Sequence, residues 1–216
     1  PELLEPEESH FPNNGCIPLE INLSDITPPL PCGSIDRNWE IIGGSYIWAD
    51  GFGPDSENPT VILLEAVDYQ INLIHAPPEN LLPLNCNIDG VTSFEIEAYD
   101  IPDLTIGSDE YFICEGEEIT SSIIQFDDGN YDTYTIDWLV NDQLFSVEYG
   151  PISVLFPDAG IQTIQASASN ICGTNTSDII VEVSANPIIN TTLPPGDCIG
   201  NTISISATGA EEYSWT

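Results

Sequence analysis

Apolar and polar residues alternate along most of this chain, and the alternating stretches recur in a fixed order. A cysteine precedes such a stretch three times, in GCIPLEINLSDIT (15–27), ICEGEEITSSIIQF (113–126) and DCIGNTISISATG (197–209). A tryptophan follows each of them, at Trp39, Trp138 and Trp215. Alternation with a period of two residues is typical of strands with one buried face, so its recurrence predicts repeated β units.

This order predicts two complete units and the start of a third. Each complete unit continues to a later cysteine, Cys86 or Cys172, and closes with an alternating strand that ends at a proline. The predicted boundaries are a linker tail at 1–11, units at 12–102 and 103–187, and a truncated unit at 188–216. Short alternating stretches with turn signals such as DDGN predict antiparallel, Ig-like β-sandwiches. Short junctions that contain proline predict an extended, stiff array.

The charge of the chain restricts its partners. The sequence holds 36 Asp and Glu residues against one Lys or Arg, Arg37, and its formal net charge is −35. Nucleic acid is excluded because its phosphates need Lys and Arg. An anionic membrane surface would repel the chain, and no apolar run is long enough for insertion. We expect an extracellular or cell-surface location, with other proteins, glycans or copies of itself as partners.

Catalysis is not predicted. The two histidines, His10 and His75, lie in different segments, and neither belongs to a nucleophile motif. Among 36 acidic residues, pairs of carboxylates arise by chance and therefore indicate little. The chain is predicted not to be an enzyme.

Calcium is the one cofactor that the acidic composition favours, because calcium binds carboxylate and carbonyl oxygens. Two turns mix acids with glycine, and their candidate ligands are Asp127, Asp128 and Asp132 in FDDGNYD and Asp50, Asp55 and Glu57 in ADGFGPDSE. Neither turn fits the D-x-D-x-D-G loop. Asp and Asn also fill turns by bonding to their own backbone, and we favour that interpretation for each turn.

Six cysteines without a C-x-x-C pair predict disulfides rather than a zinc site. Cys114 and Cys172 are alone in the second unit and 58 positions apart, so they are predicted to pair. Such a loop would stabilise a small sandwich by about 3–5 kcal/mol. By repeat position, Cys16–Cys86 is the matching pair in the first unit. Cys198 is expected to pair within the missing part of the third unit.

The tryptophans have two interpretations. Trp39, Trp138 and Trp215 occupy one repeat position, which predicts buried core residues. Trp48 lies outside the repeat pattern, close to Tyr46 and Phe52. It is therefore a candidate for an exposed ring that stacks on glycans.

These stretches resemble the PKD domain. The resemblance is carried by GCIPLEINLSDIT and SENPTVILLEAVDYQINL in the first unit, FPDAGIQTIQASASNICG in the second and CIGNTISISATGAEEYSW in the third. The chain is similar above all to PKD-like repeats of large secreted surface proteins of gliding and marine Bacteroidota, often adhesins exported by the type IX system. Related repeats often carry a cysteine at the position of Cys32, so Cys32–Cys86 stays open beside Cys16–Cys86.

Together, these features predict a structural or adhesive segment of a cell-surface or filamentous extracellular protein. It would act as a stiff acidic stalk, which calcium could stiffen further. The alternative is a set of accessory glycan-binding or spacer modules of a secreted polysaccharide-degrading enzyme, with Trp48 in contact with the glycan.

Overall fold

The structure is a computed structural model that describes residues 7–28, 36–76, 90–192, 202 and 204–214. Every regular element in these ranges is a β-strand, as the alternation predicts. No helix in the described ranges has the length and apolar character needed to cross a membrane. The strands form two successive antiparallel sandwiches, and the predicted all-β fold of tandem Ig-like sandwiches is confirmed.

The first sandwich consists of two four-stranded sheets. Its strands are β1 (Glu8–Phe11), β2 (Asn14–Cys16), β3 (Leu19–Asp25), β4 (Asp36–Ile42), β5 (Tyr46–Trp48), β6 (Thr60–Leu63), β7 (Asp68–Ala76) and β8 (Gly90–Tyr99). One sheet has the order β1-β3-β6-β5 and the other β2-β8-β7-β4. The tail predicted for 1–11 is not a linker throughout, because β1 pairs with β3 along its whole length.

The second sandwich has the same succession of eight strands, but its fifth strand lies in the other sheet. Its strands are β9 (Asp103–Ser108), β10 (Phe112–Cys114), β11 (Glu118–Asp127), β12 (Thr135–Val140), β13 (Gln143–Ser146), β14 (Ile152–Leu155), β15 (Gly160–Asn170) and β16 (Gly173–Ser184). The sheet orders are β14-β11-β9 and β10-β16-β15-β12-β13. Beyond it, β17 (Asn190–Thr192) pairs with β18 (Ser206–Thr208).

Both sandwiches contain one parallel pair, between a short early strand and the final strand. β2 runs beside β8 and places Cys16 opposite Tyr99. β10 runs beside β16 and places Cys114 opposite Ser184. Tyr99 and Ser184 are the last residues of their strands, so each cysteine lies at the end of its sandwich where the chain leaves it.

Each sandwich has its own hydrophobic core, organised around a tryptophan. Trp39 on β4 is 2% exposed and Trp138 on β12 is 0% exposed. Their indole Nε1–H groups donate to the carbonyls of Ser56 and Glu148, each over 3.0 Å. The prediction that these two residues are core residues is confirmed, and Trp215 lies outside the described residues. A buried indole needs such a partner, because an unpaired N–H would lose its bond to water.

Replacing Trp138 with alanine should lower the free energy of unfolding of the second sandwich by about 3–5 kcal/mol, since it removes the largest side chain of that core. Urea denaturation followed by circular dichroism measures this change. The matched control is Phe145→Ala on β13, where the ring is 50% exposed. That change should stay within about 0.5 kcal/mol. Equal losses in the two variants would contradict the assigned core.

Candidate functional site at the junction between the sandwiches

The linker between the sandwiches is held by loops of the second one. Only residues 100–102 connect β8 to β9. The Asp100 N–H donates to the Gly129 carbonyl over 2.9 Å. The Asp100 carbonyl accepts a hydrogen bond from the side-chain amide of Asn170 over 2.6 Å. Both backbone groups of Asp100 are therefore bonded to loops of the second sandwich.

The loop between β11 and β12 reaches back to the first sandwich through Asn130. Asp128 Oδ1 accepts the Asn130 N–H over 3.0 Å, and Asn130 adopts a left-handed φ of 60°. Asparagine tolerates this conformation better than most residues. Its Nδ2 then donates to the Ala98 carbonyl and to the Asp68 carboxylate, each over 3.1 Å. One side chain therefore joins the loop to two strands of the neighbouring sandwich.

At the turn between β15 and β16, the side chain of Asn170 makes a second set of hydrogen bonds at the junction. Asn170 Oδ1 accepts the N–H groups of Cys172 and Gly173 over 2.8 and 3.2 Å. The Nδ2 of the same side chain donates to the carbonyls of Asp100 and Asp128 over 2.6 and 3.1 Å. Asn170 thus fixes the position of the turn relative to both the linker and the neighbouring loop.

A disulfide crosses the junction. It joins Cys16, at the end of β2, to Cys172 in the turn before β16, and the two residues are 156 positions apart. Their Cα atoms lie 5.5 Å apart, within the range that disulfides normally adopt. The two sandwiches are therefore connected covalently twice, by the linker and by this disulfide.

The predicted disulfide between Cys114 and Cys172 is wrong. Cys114 is a free, exposed thiol beside Ser184 at the end of β16, whereas Cys172 directly precedes the first residue of that strand. The 12 residues of β16 span about 40 Å at a rise of ~3.3 Å per residue. A disulfide requires Cα atoms closer than about 7 Å. The two cysteines lie at opposite ends of the second sandwich.

Of the two alternatives left open for the first unit, Cys16–Cys86 is wrong, because Cys16 is bonded to Cys172. Cys32, Cys86 and Cys198 lie outside the described residues, so Cys32–Cys86 stays a prediction. Both wrong pairings assume that each unit closes its own disulfides. The structure instead uses a cysteine from each of two neighbouring units.

Beside the disulfide, a polar hollow of about 270 Å³ opens between the sandwiches. Its walls include Asp68, Glu97, Tyr99 and Tyr131, and the two tyrosine rings meet edge to face with centroids 4.8 Å apart. The Tyr99 hydroxyl donates to the Glu97 carboxylate. Burial, followed by this bond to an anion, raises the pKa of Tyr99 to about 12. The hydroxyl therefore stays protonated and keeps donating at any physiological pH.

Two of the acidic residues of the second unit that are predicted to bind calcium instead accept backbone N–H groups of their own turn. Asp127 Oδ1 accepts the Gly129 N–H over 2.9 Å, and Asp128 caps Asn130 as described above. Asp132 is exposed and lines the hollow. This arrangement is the turn-capping role that the sequence favours for aspartate.

The predicted calcium ligands of the first unit are not brought together either. Asp50 and Asp55 are exposed, and Glu57 Oε2 lies 4.0 Å from Arg37 Nη1. Throughout the described ranges, no group of three or more His, Cys, Asp or Glu side chains is placed to hold a metal ion. Calcium binding stays a prediction.

Trp48 is not the freely exposed ring that a glycan platform requires. It is half-buried on β5 and packs against the core of the first sandwich. Its neighbour Tyr46 meets it edge to face, with ring centroids 5.9 Å apart. Phe52 is 44% exposed. The outer surface here is therefore formed more by Tyr46 and Phe52 than by Trp48.

A buried ion cluster lies at the opposite end of the first sandwich from the junction. Asp25 Oδ2 contacts Arg37 Nε over 2.9 Å and His75 Nε2 over 2.8 Å, and Asp25 Oδ1 accepts the Thr27 N–H over 3.0 Å. Burial alone would raise the pKa of Asp25, but the hydrogen bonds from Thr27, Arg37 and His75 outweigh it and lower that pKa. Because the carboxylate is ionised, it can only accept, so His75 Nε2 carries the donated proton.

The sequence did not predict the hydrogen bonds of Asn130 and Asn170 at the junction, nor the disulfide that crosses it. Each asparagine stands beside a turn signal, in DDGN and in NICG, but these signals predict only local turns. A hydrogen bond from a turn to another unit leaves no local signal in the sequence, because it depends on how the two units are placed relative to each other.

No protein-family model matches this chain. No curated protein matches it either. Among solved structures, the chain is similar to the mouse nectin-like molecule 4 ectodomain (Ig1–Ig3), with 11% identity, a TM-score of 0.45 and coverage of 84% of this chain and 64% of that one. It is also similar to extracellular domains 3–5 of Drosophila OTK, with 11% identity, a TM-score of 0.45 and coverage of 83% and 60%.

Immunoglobulin domains 1–4 of Sidekick-1 give 12% identity, a TM-score of 0.47 and coverage of 82% of this chain and 48% of that one. The chain spans less than two thirds of the length of each of these structures. The resemblance to PKD repeats, the Bacteroidota source and export by the type IX system stay predictions.

Replacing Gly129 with alanine should loosen the junction. An added Cβ would lie 2.2 Å from the Asp100 carbonyl oxygen, and the φ of +71° adds a cost of about 1–2 kcal/mol for any side chain. Hydrogen exchange of the Asp100 amide, which donates to Gly129, should accelerate roughly 5- to 30-fold.

The matched control is Gly150→Ala, where an added Cβ meets no atom within 4 Å. In this control variant, the Asp100 amide should exchange at the wild-type rate. Unchanged exchange in Gly129→Ala would show that the close approach of the loop to the linker is not maintained in solution.

Asp25 should make the first sandwich acid-sensitive. Its pKa is lowered below the usual 3.8 in the folded state, so its stabilising effect is complete above that value and is lost as the pH falls through the folded pKa. Asp25→Asn should cost about 1.5–3 kcal/mol near neutral pH and flatten the loss of stability below pH ~4. Urea denaturation across the pH range measures both effects.

The control is Asp36→Asn, which removes an exposed carboxylate from the start of β4. Its stability should follow the wild-type pH dependence. If Asp25→Asn kept the full acid sensitivity of the wild type, another group would be responsible for it.

Proposed function

We propose that this segment is an extracellular structural spacer that carries tension while it holds neighbouring sandwiches in a fixed arrangement. The observation that carries the proposal is the disulfide between Cys16 and Cys172, which crosses the junction. A stable disulfide fits an oxidising extracellular compartment. The hydrogen bonds of Asn130 and Asn170 around the linker support the same role, because they restrict bending at the junction.

The disulfide provides a short path for tension along the chain. A pull from the N-terminal side passes through residues 8–16, which run along the first sandwich as β1 and β2. It then crosses to Cys172 and leaves along β16, which runs the length of the second sandwich. These two strand segments are already extended and span about 30 and 40 Å, so they yield little further length.

This path bypasses most of both hydrophobic cores. All core residues of the first sandwich lie between Cys16 and Cys172 in the sequence. In the second core, only Ile179, Val181 and Val183 lie beyond the bridge, on β16. While the bridge is intact, tension therefore loads the strand pairings of residues 8–16 and of β16, but it cannot extend the chain between the two cysteines, which holds the rest of both cores.

The charge and composition suit exposure outside the cell. The single Arg37 leaves one cleavage site for trypsin-like proteases, and it is paired with Asp25. The net charge of −35 keeps neighbouring chains apart at low salt. Other proteins, glycans and further copies stay the expected partners. Calcium stiffening also stays a prediction, and the proposed path for tension does not require an ion.

Single-molecule stretching of the chain, held at its two ends, tests the proposal. With the disulfide intact, the 156 positions between the bridged cysteines should contribute no length. After reduction, the same pull should release about 560 Å of additional contour, at ~3.6 Å per residue. A Cys16→Ser/Cys172→Ser variant should release this length without reductant.

Cys114→Ser is the control, because it removes an exposed free thiol and leaves the bridge in place. It should behave as the wild type. Release of the full length from the oxidised wild type would contradict the proposal, as would identical extension before and after reduction.

A further inference from the structure

Cys114 occupies in the second sandwich the place that Cys16 occupies in the first. Both end the short strand that runs parallel to the final strand of their sandwich, opposite the last residue of that strand. The next N–H makes the same hydrogen bond in both, from Ile17 to the Tyr99 carbonyl over 2.8 Å and from Glu115 to the Ser184 carbonyl over 3.0 Å. The two cysteines are therefore equivalent in backbone environment.

The two cysteines differ in what their sulfur atoms are bonded to. Cys16 is joined to the turn cysteine of the following sandwich, Cys172. Cys114 is exposed and has no disulfide partner within the described ranges. It faces the end of the second sandwich from which the chain continues. At the first junction this cysteine position is bonded to the next sandwich, whereas at the second junction it carries a free thiol.

The stretch after the second sandwich repeats the first contact of the junction. Gly129 approaches the linker so closely that an added Cβ would lie 2.2 Å from the Asp100 carbonyl oxygen. Gly209, directly after β18, approaches the next linker in the same way, and its added Cβ would lie 1.9 Å from the Ile188 carbonyl oxygen. Both glycines have a positive φ, of 71° and 111°. This contact is a second observation, independent of the cysteine, that a loop approaches the next linker as at the first junction, although that linker, 185–189, is two residues longer.

We propose that Cys114 forms a disulfide with the cysteine in the turn between the last two strands of the sandwich that follows it. The partner is a thiol in the turn position of Cys172, held on an Ig-like sandwich that residues 188–216 begin. Each sandwich is then joined to the next by an equivalent disulfide, and a disulfide crosses every junction of the array. This inference goes beyond the proposed role in tension and does not depend on it.

The chemistry of the step balances as an ordinary thiol oxidation. The thiols of Cys114 and of the partner lose two protons and two electrons, and one S–S bond forms. The electrons reduce the disulfide of a thiol–disulfide oxidoreductase to its dithiol, which also takes up the two protons. Cys172 cannot serve as the partner, because it is bonded to Cys16 and lies about 40 Å from Cys114 along β16.

Disulfide mapping of the natural full chain tests the proposal. The secreted chain is isolated with free thiols alkylated and is digested with a glutamate-specific protease, since the segment has only one Lys or Arg residue. Cleavage after Glu110 and Glu115 releases Cys114 in the short peptide 111–115. This peptide should be found joined to a peptide from beyond residue 216. An alkylated Cys114, a bond within residues 1–216 or a bond to another chain would each overturn the proposal.

A chain extended after residue 187 by a second copy of residues 103–187 provides an independent check. The original Cys114 should resist alkylation there, because the copied turn cysteine is available to it. Changing only the copied turn cysteine to serine should restore alkylation fully. The Cys16–Cys172 bond reports in the same digest that the chain has folded, so a labelled Cys114 beside an intact first bond would count against the proposal. Failure of the stretching experiment would leave this result unaffected.

Discussion

The disulfide between Cys16 and Cys172 is the bond on which the arrangement of this protein depends. Without it, three linker residues would be the only covalent connection between two separately cored sandwiches. With it, the junction is closed on both sides, and the linker lies inside a covalent ring. The loops that approach the linker can then make short, directional hydrogen bonds, because their positions relative to the first sandwich are already restricted.

The junction is built from neutral amides, which suits a chain with almost no positive charge. From the second sandwich, Asn130 and Asn170 donate to the Ala98 carbonyl, the Asp68 carboxylate and the Asp100 carbonyl of the linker. In most proteins, lysine or arginine could make such contacts, but the one such residue here is Arg37, which neutralises the buried Asp25 at the far end of the first sandwich. An amide donates without a net charge, so it satisfies carbonyls in a strongly anionic molecule without requiring a counter-charge.

The same charge explains why stability rests on the cores and the covalent bridge. Repulsion among 36 acidic residues opposes compactness. The cores offset it with apolar side chains around Trp39 and Trp138, whose indole groups are fully hydrogen-bonded. The equivalent placement of these tryptophans in β4 and β12 shows that both cores are built around the same strand position, although the fifth strand pairs in a different sheet in each sandwich.

The sequence by itself determined the all-β class, the repeated plan and the two core tryptophans, because each follows from local alternation and from the spacing of residues within a unit. It did not determine the cysteine pairing, the hydrogen bonds of the acidic turns or the exposure of Trp48. Cys114 and Cys172 are near each other in sequence but lie at opposite ends of β16, whereas Cys16 meets Cys172 from 156 positions away. Only the tertiary structure decided these contacts, because a strand carries its two ends apart and the packing of one sandwich against the next brings distant segments together.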